Sequence, residues 1–215
     1  MLSRYLTVKE TGQHEIEIKK SRFICTLARV ETEDLAKQFI QNIKKEHWKA
    51  SHNCSAFVIG DRHEIQRSND DGEPAGTAGL PMLEVLKKRN LINTLAVVTR
   101  YFGGTELGKG GLIRAYGGVV SEALDVIGIS EGRLQQEVIV KIDYSNHGKL
   151  ENFMEQSSYG IKETLFTDVV NVICMVDDDQ VETFQQEVTN ILNGQGTITL
   201  GEKNYFETDY LTKVH

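Results

Sequence analysis

Apolar residues recur along this chain with two different periods, and the alternation between them predicts a mixed succession of strands and helices. From Leu134 to Tyr144 the pattern alternates through Val138, Val140 and Ile142, which is a half-buried strand. Ser145 and Asn146 then offer a cap for a helix with Leu150, Phe153 and Met154 on one face. Strands are expected near 159–167 and 169–176, joined at Thr167-Asp168. Asp177 to Asp179 place acidic residues at the start of a helix with Val181, Phe184, Val188, Ile191 and Leu192, and Gly194 and Gly196 end it. A strand near 197–207 completes a β-α-β-β-α-β order, the split βαβ pattern of a ferredoxin-like domain.

The first half is also mixed but less regular. A strand or hairpin near 13–30 leads to Thr32, a cap for a helix burying Leu35, Phe39, Ile40 and Ile43. Strands are expected at 53–59 and 63–68, then a turn-rich loop from Asn69 to Gly79, then a short helix opened by Pro81. The strand 95–101 empties into a loop with five glycines, and a helix over 111–127 follows, with Gly117 and Gly118 permitting close approach of another element. These elements divide the chain at 132/133 into two α+β domains.

Charge separates the same two parts. Residues 1–132 carry 18 Lys and Arg against 17 Asp and Glu, while 133–215 carry 6 against 14, giving −7 overall. An acidic second half disfavours wrapping the whole protein in nucleic acid and leaves a basic face on the first half as the candidate surface. Cys25, Cys54 and Cys174 lie far apart, which argues against a disulfide framework or a structural zinc site. With no apolar run of membrane-spanning length and no signal-peptide core near the N-terminus, a cytoplasmic protein with no membrane association is expected.

The glycine loop is the strongest chemical feature. A strand that passes through glycines onto a helix start leaves N–H groups and the positive helix end open to an anion, beside Lys109. From Gly103 the spacing matches G-x-x-x-x-G-K, but Gly110 stands where the nucleotide P-loop needs Ser or Thr for magnesium. Arg100, Gly103, Gly104, Lys109, Gly110 and Arg114 are therefore candidates for nucleic-acid or anion binding, although the glycines also suit a tight turn that binds nothing.

Other groups are weaker candidates. Asp70, Asp71 and Glu73 lie within four residues but lack calcium-loop spacing, so no metal and no cofactor is assigned. His52 and Cys54 share a strand face, a juxtaposition that only a third, orienting group would make catalytic. No catalytic residue is assigned. Trp48 with Lys44, Lys45, His47 and Lys49 has the composition of a base-stacking, phosphate-neutralising cluster, or of basic residues complementing a helix C-terminus.

Three segments, Ala50 to Cys54, Asp71 to Gly79 and Val98 to Tyr116, closely resemble the IMPACT family in its bacterial YigZ branch. The resemblance covers about residues 1–130, while the acidic half is similar to the YigZ-type C-terminal domain mainly in element order. It implies a two-layer N-terminal domain like domain four of elongation factor G, a ribosomal-protein second-domain-like fold, and a ferredoxin-like domain like domain five of that factor. It further implies RNA or ribosome association, or a protein partner in translation control. His52, Asp71 and Glu73 join the candidate functional surface on these motifs. The alternative expectation is an enzyme or binder of a small phosphorylated ligand at the Gly103–Gly111 loop; a third is a protein–protein adaptor.

Overall fold

The computed structural model describes residues 2–210. Within them, one compact unit comprises 5–131 and 208–210, and another comprises 2–4 and 132–207. The short terminal pieces thus exchange sides relative to a division made at a single point in the chain.

The first unit contains β1 (Arg4–Val8, all but its first residue), β2 (Gly12–Ile18), β3 (Ser21–Arg29), α1 (Glu33–Glu46), β4 (His52–Ile59), β5 (Ile65–Asn69), α2 (Gly79–Lys88), β6 (Thr94–Tyr101) and α3 (Gly108–Ile127). Its sheet runs β2-β3-β6-β4-β5 with every neighbouring pair antiparallel. The central strands are apolar on both faces. Cys54, Ala56, Val58, Ala96 and Val98 pack with the Met82, Leu86, Leu112, Tyr116 and Val119 side of α2 and α3. Phe57, Ile59, Leu95 and Val97 form a second cluster with Ala36, Phe39, Ile40 and Ile43 of α1. The two-layer expectation is therefore corrected to three layers, because two such strands in the middle of a sheet need cover on both sides.

Local chemistry explains where these elements start and stop. Thr32 caps α1 by accepting from the Leu35 N–H at 3.2 Å, as its position before Glu33 and Asp34 predicts. Leu35, expected inside, is half exposed. α3 begins at Gly108, three residues before its predicted start, since Gly-Lys-Gly gives no helical signature. Strand β1 escaped the sequence reading: it is five residues long, and only its last two, Thr7 and Val8, are buried.

The second unit follows the predicted order. It holds β7 (Ile129–Ile142, from Gly132), α4 (Tyr144–Gln156), β8 (Gly160–Phe166), β9 (Val170–Asp177), α5 (Val181–Ile191) and β10 (Thr197–Asp209, to Glu207), in a sheet where β9 lies between β7 and β8 and both β1 and β10 pair with β7. Its core joins Val138, Val140 and Ile142 to Val172, Cys174 and Val176 beneath Leu150, Met154, Phe184 and Val188. Residue 143, rather than Ser145 or Asn146, occupies the helix-cap position of α4, and Asn146 is buried and donates to the Gln195 side chain instead.

The loop between β5 and α2 is held by one carboxylate. Asp70 accepts from the N–H groups of Gly76 at 2.8 Å, Ala78 at 3.1 Å and Gly79 at 2.8 Å, so α2 takes its N-terminal cap from eight residues upstream of Ala78. A side chain at Gly79 would lie 2.6 Å from the Asn69 backbone, which is why the loop can fold back only through glycine there. Burial raises the Asp70 carboxyl, yet the three N–H donors outweigh it and hold its pKa below the ordinary value. This contribution is complete above the unfolded carboxyl's pKa of about 3.9 and disappears as pH falls through the lower folded value. Asp70→Ala is expected to destabilise the protein by about 1–3 kcal/mol at pH 7 in urea titrations, with a smaller difference from wild type at pH 3.

Candidate functional site

Strands β4 and β6 place His52 opposite Arg100 in register, at the end of the sheet where the acidic loop and the glycine loop both arrive. Arg100 is 4% exposed. Its guanidinium lies 5.3 Å from the Phe23 ring and 5.4 Å from the Phe102 ring, donating through Nη1 to Glu73 Oε1 at 2.7 Å and through Nη2 to Ser21 Oγ at 3.3 Å. The Tyr116 hydroxyl donates to the same Glu73 oxygen at 2.7 Å. Burial, together with neighbouring Cys54 and Glu73, raises the Tyr116 phenol far above its usual pKa, so it serves as a fixed donor.

His52 completes the cluster. Its Nδ1 lies 2.8 Å from the Asp71 carbonyl, which can only accept, so the ring carries its proton there. Nε2 then faces Glu73 Oε2 at 3.8 Å. Cys54, on the same strand face, donates its thiol to the Asp70 carbonyl at 3.0 Å, and burial pushes it up to about 12. A thiol so protonated is no nucleophile near neutral pH.

The glycine loop closes the other side. The Gly103 N–H donates to Ser21 Oγ at 3.1 Å, and a side chain at Gly103 would lie 2.1 Å from the Lys20 carbonyl carbon, so the backbone passes here only as glycine. Leu107 occupies the cap position of α3 and supplies no side-chain hydrogen bond, leaving the first helical N–H groups uncapped. His52, Glu73, Pro74, Arg100, Phe102, Glu106, Leu107, Gly108, Lys109 and Leu112 line a cleft of about 320 Å³. The acidic and glycine loops therefore form one site.

The candidates from the sequence divide accordingly. His52, Glu73, Arg100 and Lys109 line the cleft. Gly103 and Gly104 shape the loop, Gly104 with φ +85°, and Gly110 lies exposed in the first turn of α3. Arg114 is exposed one turn further and is not among the cleft-lining residues. Asp71 is turned elsewhere: its carboxylate accepts from Lys44 Nζ and the Asn53 N–H, both at 2.6 Å. With Asp70 committed to α2, neither aspartate faces the cleft as a free ligand. Tyr116, Ser21, Phe23 and Phe102 were missed, though a tyrosine within the buried stripe of α3 signals a hydroxyl that needs a partner.

Burying Arg100 and Glu73 makes each depend on the other. Arg100→Met is expected to destabilise by about 3–5 kcal/mol, because it strands a buried carboxylate. Arg100→Met/Glu73→Met should recover much of that loss in a denaturation cycle; additive losses would mean that the two charges are not coupled.

Comparison with known proteins agrees with the segments that carry the site. Residues 19–124 match the model of the Impact N-terminal domain, and residues 140–195 match a domain of unknown function, DUF1949. The IMPACT family member YvyE of Bacillus subtilis is 54% identical over 207 residues, covering 96% of this chain and 95% of that protein. YigZ of Escherichia coli is 50% identical over 110 residues, half of each chain, and a Saccharomyces cerevisiae protein named IMPACT homolog is 34% identical over 103 residues, 39% of its length. A crystal structure described only as a hypothetical protein covers 93% of this chain with a TM-score of 0.59 at 33% identity. On its full-length match to YvyE and the Impact domain that contains its whole cleft, this chain belongs to the IMPACT family.

Proposed function

We propose that this protein is a non-enzymatic, cytosolic regulator of translation that associates with RNA or the ribosome through the cleft of its first unit. The observation that carries this reading is the uncapped start of α3, which brings N–H donors, the positive helix end and Lys109 to the cleft beside the buried Arg100. Arg100 is balanced by Glu73, so the anion-attracting field comes from the helix end and Lys109, against one exposed opposing carboxylate, Glu106. Arg114, on the outer side of the same helix, extends the basic surface. The IMPACT-family motifs, whose resemblance implies a role in translation control, point the same way. In this reading the first unit binds phosphates and the acidic second unit does not.

A second reading rests on the size of the cleft. About 320 Å³ falls within the range of small-molecule sites, and His52 Nε2 lies on its wall, so a small phosphorylated compound is the alternative ligand.

Sedimentation of the purified protein with bacterial ribosomes through sucrose gradients distinguishes them. The expected result is co-sedimentation that falls about tenfold or more between 50 and 200 mM salt and is lost in Lys109→Glu/Arg114→Glu. Protein that stays at the top of every gradient, yet binds a nucleoside phosphate in calorimetry, would favour the second reading.

A further inference from the structure

Around the cleft, the same end of the first sheet presents exposed aromatic rings and cations to solvent. Trp48, the only tryptophan in the chain, is 73% exposed, and Lys49 Nζ lies 5.0 Å from its ring centroid. Phe102, 51% exposed, forms one wall of the cleft. The two rings belong to segments tied side by side: the Ser51 N–H donates to the Arg100 carbonyl at 2.9 Å, and the Phe102 N–H donates to Ser51 Oγ at 3.1 Å. His47, next to Trp48, is joined to the Tyr101 hydroxyl at 2.9 Å. Two exposed rings thus stand on neighbouring segments at this end of the sheet, Phe102 on the cleft wall and Trp48 outside it.

Cations flank these rings. Lys45 and Lys49 lie on the Trp48 side, and Lys19 and Lys20 form the tip of the β2–β3 hairpin, whose backbone abuts Gly103. That tip is chemically unusual. Ile18 pairs with Ser21, so the turn has two residues, both with positive φ, 48° at Lys19 and 67° at Lys20. Such a turn favours Asn-Gly, because both central residues need positive φ. Two lysines hold these positive-φ positions and put two exposed charges at the tip.

From these features we infer that Trp48 and Phe102 are a stacking platform for a single-stranded segment of nucleic acid, whose backbone runs between the Lys19-Lys20 tip and Lys49 and ends with a phosphate in the cleft. This deepens the phosphate-binding reading and rests on it. Every base has a π-face, so the platform accepts any sequence but requires unstacked bases, which a duplex does not offer. A lipid surface would also meet tryptophan and lysine, but the phosphate site beside Phe102 is concave, and a flat bilayer does not enter it.

Trp48 reports its own occupancy. Titrating the intact protein with a twelve-nucleotide single-stranded RNA is expected to quench its fluorescence, whereas a duplex of the same length leaves it unchanged. By anisotropy of labelled RNA, Trp48→Ala and Phe102→Ala should each weaken single-strand binding about 5- to 100-fold. Lys19→Asn/Lys20→Gly should raise the melting temperature by about 2–4 °C and lower the salt slope of binding by roughly 1.4. RNA binding without quenching, and indifferent to Trp48→Ala and Phe102→Ala, overturns the platform while leaving the cleft reading intact. No binding of either RNA overturns both, and a Trp48 response to phosphatidylserine vesicles alone reassigns the face to lipid.

Discussion

The Glu73 carboxylate is the point on which the first unit's architecture turns. One of its oxygens accepts from both Arg100 on β6 and Tyr116 on α3, and the other faces His52 on β4. Glu73 itself comes from the loop before α2. Three other segments, up to 43 residues away from it along the chain, are therefore fastened to one buried group. Burying a carboxylate is costly unless it is paired and hydrogen-bonded, and here the pairing is what brings the acidic loop against the glycine loop. The cleft is the space left between them.

That fastening also decides what the cleft can do. Arg100 reads from sequence as a cation for phosphates, but its charge is largely answered by Glu73, and two phenyl rings fix its plane. Asp70 and Asp71 cap backbone and hold Lys44. Cys54 is kept protonated by burial. What lines the cleft without such a commitment is the start of α3, Lys109 and the His52 edge, the set on which the anion-binding proposal rests. Trp48, Lys45 and Lys49 lie exposed outside the cleft.

The second unit was legible because its two inner strands, β7 and β9, show one buried face and its helices one apolar stripe, so period separates them. β9 shows the point, since its residues alternate between buried and half-buried along its whole length. In the first unit β4 and β6 are buried at nearly every position, and apolar runs such as 56–59 and 95–98 announce a central strand without saying what covers each face. Hence the third layer, formed by α1, went unread. The spacing of the glycine loop makes it a candidate anion site, yet its meeting with Glu73 depends on side-chain bonds between distant segments, which no local pattern encodes. Tyr116 was hidden by the stripe it belongs to.

The most direct test of this account is an amide NMR titration of the intact protein with inorganic phosphate and then with a short single-stranded RNA. The account predicts that the N–H signals of Gly108, Lys109, Gly110 and Gly111 and the His52 ring move together, saturate, and return as salt is added. Shifts confined to residues outside the cleft, with the start of α3 unchanged at saturating RNA, would contradict it.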